Sequence, residues 1–159
     1  MKQTLLLVVL ALSVITTGIS QDFSRIANLE ITTKEEARAA ESDALAVSNY
    51  VLSTPMVESA ERKISFRLII MWMTATSHQF EIDETASNFF KKDESILGLI
   101  MGSMTKTALE NPDIAKQPAA LKLKSYQTFL DYCGEPSNNV KMSKELKKAI
   151  DANKSGKLE

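Results

Sequence analysis

Five glycines and four prolines are all the turn-forming punctuation in these 159 residues. A sandwich or barrel of short strands needs a turn roughly every 8 to 12 residues. This chain cannot supply that many, so long helices joined by short loops are what its sequence permits. Hydrophobic residues make up 44% and charged residues 25% of the chain, which suits a globular domain better than a disordered tail or a multi-span membrane protein.

Helical periodicity fills the stretches between the breakers. Thr33-Lys-Glu-Glu36 is a capping box, and Ala37, Ala40, Ala44, Val47 and Val51 follow at helical spacing. The spacing predicts one helix from Thr33 to Ser53, stopped ahead of Pro55. A second is predicted from Met56 to Ala75, with Ile64, Leu68, Met71 and Trp72 on one stripe and Ile69, Ile70 and Met73 on the other side, which marks it as central. Thr76 to Asp83 reads as a connection that points Phe80 or Ile82 inward. Asp83 and Asp93 are placed to cap a short helix through Phe90 and a longer one from Glu94 to Leu109, which Asn111-Pro112 ends. Pro118 suits a helix start and Gly134 the residue just past its end, and a last helix runs from Ser143 to Asn153. Gly98 and Gly102, four apart in a helix, bare one edge for close packing inside the molecule or against a second copy. The fold expected is all-α, a single compact array of five or six helices with short loops.

Ahead of this array, Lys2, an apolar run from Leu5 to Ile15 and small residues at Gly18 and Ser20 form a signal peptide, with the cut between Ser20 and Gln21. An 11-residue apolar run, interrupted once by Ser13, falls short of the roughly 20 residues needed to span a bilayer, and no Cys follows the cut to carry a lipid. The domains expected are therefore a leader over 1–20, a mobile arm over 21–32, and one helical domain over 33–159. The mature chain is expected in the periplasm or the medium without a stable membrane anchor.

One Cys and one His exclude an intramolecular disulfide, a Cys-rich zinc site and every motif with two histidines. Cys133 shares a helical face with Leu123, Tyr126 and Leu130, which predicts burial rather than pairing between chains. Met71, Met73 and His78 are soft ligands of the kind that hold copper(I), but on a helix the two Met diverge by about 200°. His78, Glu81 and Asp83 offer nitrogen and oxygen donors to a harder cation at no spacing that fixes a geometry. The pairs Glu35/Glu36 and Glu58/Glu61 could serve as hydrolytic carboxylates, but they sit on helices whose exposed faces are expected to be charged, and nothing marks either pair as catalytic. No cofactor or metal is therefore expected. With Lys2 removed, 18 basic residues stand against 20 acidic ones, which gives no electrostatic reason for nucleic-acid binding. Lys141, Lys144, Lys147 and Lys148 give the last helix a cationic face that is either simply solvated or, with the polar loops, the contact surface for an acidic partner.

Tyr50-Val-Leu-Ser-Thr-Pro55, Met71-Trp-Met-Thr74, Phe80-Glu-Ile-Asp83, Tyr132-Cys133 and Asn138-Asn-Val-Lys141, in this order, resemble a group of small exported helical proteins of Bacteroidetes-type Gram-negative bacteria. The resemblance implies a diderm envelope or secretion from it, and brings no catalytic residue.

These readings favour a non-catalytic exported module that binds another envelope protein or a second copy of itself. Two alternatives stand beside it: a carrier of a small apolar ligand in a Met- and aromatic-lined pocket, and a hydrolase working through carboxylates. The interior separates the first two. Phe66, Met71, Trp72, Phe89, Phe90, Met101, Met104, Tyr126 and Phe129 close into a dry core in a module and line a cavity in a carrier.

Overall fold

The computed structural model describes residues 22–91 and 93–158, which hold eight α-helices and no strand. The leader and the Ser20–Gln21 cut lie outside these residues. The sequence predicts six helices; the two further ones are a short helix ahead of the array and the product of a break in the first predicted helix. The first is α1, Phe23–Ile26, capped by the Asp22 carboxylate on the Arg25 amide. The arm expected over 21–32 is docked where the structure describes it: Ile26 is 1% exposed and Ile31 is buried. The Arg67 guanidinium also holds the carbonyls of Ala27 at 3.0 Å and Leu29 at 3.1 Å. A four-residue helix is too short to display a period, and a cation about 40 positions away holds the carbonyls just past its end.

The second additional helix arises where the long one predicted from Thr33 divides. The capping box forms as expected, starting α2, Lys34–Ala39, but Ala40 leaves helical geometry at φ −94° and ψ 7° before α3, Glu41–Ser53. The cause is Trp72. Its indole N–H donates to the Ala37 carbonyl at 3.0 Å, and the Ala40 amide donates to the same oxygen at 3.2 Å. A side chain entering the hydrogen-bond ladder bends a helix without Gly or Pro.

Three more helices follow: α4, Ala60–Ala75, capped by Ser59; α5, Glu84–Phe90, capped by Asp83; and α6, Ser95–Glu110. A 3₁₀ turn at Ile114–Lys116 leads into α7, Pro118–Gly134, which opens on Pro118 as predicted. Another at Pro136–Asn138 ends on Asn139 in the left-handed region at φ 55° and precedes α8, Lys144–Lys154. Gly134 is the last residue of α7 and does not adopt positive φ. It is there for clearance, since a Cβ would stand 3.3 Å from the Ile150 side chain of α8.

The hub is α6, which packs against α3, α4, α5 and α7. Gly102, Ser103, Thr105, Thr107 and Ala108 are all buried on it. Small side chains admit neighbours on several sides. The centrality expected of α4 is corrected, because Ile70 is 50% exposed and only Leu68, Ile69 and Trp72 of its apolar run are buried. Two large clusters form the core, one around Trp72 on α3 and α4 and one around Phe129 on α6 and α7, and Phe80 packs against both. That choice between Phe80 and Ile82 leaves Ile82 exposed.

Candidate functional site

Several of the residues singled out for chemistry are engaged in structural contacts. Trp72 is fully buried, and the His78 ring lies 5.7 Å from its ring and 6.2 Å from that of Phe80. Met71 and Met73, on either side of Trp72 in α4, are half-buried. Glu81 and Asp83 turn instead to Lys122 on α7, whose Nζ is 3.8 Å and 3.2 Å from them. Asp83 accepts from the Ala86 amide at 3.0 Å and from the Tyr126 hydroxyl at 3.1 Å. Burial pulls its carboxyl up, but these donors and Lys122 outweigh that and hold it below its ordinary value. Burial and the facing Asp83 raise the Tyr126 hydroxyl. Among the described residues no three His, Cys, Asp or Glu side chains gather to hold a metal.

Cys133 is free and 0% exposed, and burial pushes its thiol up to about 12, the opposite of an activated nucleophile. Tyr126 and Leu130 accompany it in the core as predicted, whereas Leu123 is 38% exposed, and Leu121 is buried in a separate small cluster with Ala108 and Ala115. Of the carboxylate pairs, Glu36 accepts from the Thr32 amide at 2.8 Å and the Thr33 amide at 3.0 Å. These bonds hold its carboxyl below the usual range. Glu58 pairs with Lys63.

Space for a ligand lies elsewhere, on the flank where α4 faces α6. Arg62, 4% exposed, donates to the Val51 carbonyl at 3.3 Å, and to the Thr54 carbonyl, the Thr54 hydroxyl and the Pro55 carbonyl, each at 2.9 Å. It thereby fixes the start of α4 to the end of α3. One turn on, Phe66 lies on Gly98 so closely that a Cβ there would meet its ring at 2.6 Å. The Arg62 guanidinium stands 5.9 Å from the same ring. Phe66, Ile70, Phe90, Leu97, Gly98 and Met101 surround an apolar hollow of about 460 Å³, with Lys91 and Glu94 on its rim. It shares Phe66 and Glu94 with a second, polar-rimmed hollow of about 610 Å³, lined by Arg62 and Lys63 of α4, by Glu58, Asp93 and Lys141 of the loops, and by Met56 and Val57. Together they form one amphipathic trough.

Lys141 and Lys144 of the expected cationic surface border a third hollow that shares Asp93 and Lys141 with the polar one. Lys147 and Lys148 are exposed. Of the nine side chains set against each other as core or cavity, Trp72, Met104 and Phe129 are at most 1% exposed, and Phe89 and Tyr126 are buried. Phe66, Phe90 and Met101 line the trough. Sequence reasoning missed Arg62, Glu94 and Leu97. A signal existed in the second stripe Lys63, Phe66, Ile70, which lies apart from the core stripe Ser65, Leu68, Trp72. No helix among the described residues is long and apolar enough to cross a membrane. Comparison with models of protein families, with curated proteins and with solved structures finds no match to the chain.

Proposed function

We propose that this chain is a non-catalytic binding module of the periplasm or the medium, and that the trough between α4 and α6 is its binding surface. The observation that carries the reading is the trough itself: an apolar hollow of about 460 Å³ continuous with a charged one, on a molecule whose other aromatic side chains are used in the core. Exposed apolar surface rimmed by polar residues marks interaction sites. The leader reading supplies the compartment, and the resemblance to small exported helical proteins agrees with it.

Site-specific photocrosslinking in the native envelope tests the surface. A benzophenone side chain at Ile70 is expected to trap a discrete partner, and one at the exposed Lys124 of α7 to trap none. Absence of an adduct at Ile70, or equal adducts at both positions, sinks the reading. N-terminal sequencing of the exported protein is expected to begin at Gln21.

The volume of the apolar hollow supports a second reading, a carrier of a small apolar ligand, because ligand pockets run from about 300 to 1,000 Å³. Native mass spectrometry of the purified chain then shows a lipid-sized adduct that Ile70→Asp removes.

A further inference from the structure

Both walls of the trough carry the same spacing. On α4 the side chains that line it include Lys63, Phe66 and Ile70; on α6 and its N-cap residue they include Glu94, Leu97 and Met101. Each set steps by three and then four residues, the repeat by which one helix presents a seam to another. Two neighbouring helices that offer such seams to the same space form two sides of a three-helix arrangement. Phe66 and Leu97 are half-buried, Ile70 is 50% exposed, and nothing among the described residues covers them.

We infer that the α4–α6 seam receives an amphipathic α-helix of a partner protein, an inference that rests on the trough being the binding surface. Three observations select this occupant. An incoming peptide must satisfy its own backbone amides and carbonyls, and this protein presents no strand edge among its described residues to pair with an extended one. A helix brings those bonds within itself. From Ser59 to Ile70 the α4 wall runs about 16 Å, three helical turns, room for a short helix with apolar anchors against Phe66 and Ile70 and charged residues beyond them. Charge then sets direction: Glu94 and Lys141 both line the polar half, and neither has an ion-pair partner among the described residues. The partner helix therefore carries a base facing Glu94 and an acid facing Lys141, beyond its apolar stretch. A small apolar ligand fits less well, because an open trough leaves exposed much of the surface that such a ligand needs buried.

The test uses the full purified chain with ¹³C-methyl methionines and four probes. The first is a synthetic 14-residue helical peptide with leucines stepping by three and four, a lysine and a glutamate at one end. The second is the same composition scrambled so that no face is apolar, and the third and fourth are palmitate and dodecylphosphocholine. Expected is a shift of the Met101 and Met56 methyls with the first peptide alone, while Met104, 1% exposed, stays in place. Ile70→Asp should weaken that binding at least tenfold. Glu94→Lys, at an exposed residue whose side chain makes no cap bond, should weaken it and be rescued by a peptide with its lysine changed to glutamate. That rescue guards against misfolding of the Ile70 variant. If the lipids move Met101 and the peptide does not, the helical occupant is overturned while the trough stands as a binding surface. Met101 shifts that grow with protein concentration, alongside a doubled mass in gel filtration, would make a second copy the occupant and equally overturn the partner helix. If no probe moves Met101, the inference and the trough reading fall together.

Discussion

Trp72 is the largest side chain of the core, and its single polar atom is matched by the Ala37 carbonyl. Substitution Trp72→Phe deletes that bond and part of the volume, and should cost about 1–3 kcal/mol in urea unfolding. An unchanged midpoint would show that the indole contributes nothing. Cys133 makes a simpler prediction. A fully buried thiol, pushed up to about 12, should resist a disulfide reagent in the native protein and react within seconds once the chain is unfolded in denaturant. Fast native labelling would contradict its placement. Its burial was legible because Tyr126 and Leu130 share its face. Exposure of Leu123 was not, since the stripe is wide and only packing against α6 and α8 shows where its edge falls.

Arg62 joins two helices through one guanidinium. It replaces water for the carbonyls of Val51, Thr54 and Pro55 at the end of α3, where a cation also meets the negative end of the helix dipole. Arg62→Met keeps most of the bulk and leaves those acceptors short of donors, so a loss of about 3 kcal/mol or more is expected by denaturant titration. Arg62→Lys should recover only a fraction, because an ammonium cannot reach several acceptors in one plane. At the start of α2 the loss should be smaller. Thr33→Ala removes the hydroxyl that accepts from the Glu36 amide at 3.2 Å, worth about 1 kcal/mol. Helix starts were legible because caps are local: Thr33, Asp83, Pro118 and Ser143 each sit where expected. The break at Ala40 was not, because its cause lies 32 positions further along the chain.

Over the whole molecule, titration sets the range of stability. The carboxyls of Asp83 and Glu36 lie below their ordinary values in the fold, so their contribution is complete above the ordinary carboxylate range and is lost as pH falls through their folded values. Cys133, Tyr126 and Tyr132 are raised, all three chiefly by burial. Their contribution is complete below their ordinary values and is lost as pH rises through the folded ones. The melting temperature should therefore hold a plateau from about pH 5 to about pH 9 and fall on both sides. Cys133→Ala should flatten the alkaline fall and leave the acid one unchanged. A melting temperature that still climbs above pH 9 would contradict the burial of these three groups.

The amino-acid sequence by itself determined that the described residues form an all-helical fold, where α2, α5, α7 and α8 begin, and that the thiol is buried. Each of these follows from residues within a turn or two of one another: caps, breakers and periodicity. Tertiary structure decided that α6 rather than α4 is the hub, that Trp72 divides one predicted helix into two, and that Phe66 rests on Gly98 to leave a trough beside it. The Gly98–Gly102 edge announced close packing, but not which ring would fill it. Periodicity tells which face of a helix is apolar. Whether a neighbour covers that face depends on crossing geometry between segments far apart in sequence, and it is there that the chain left the α4–α6 seam open.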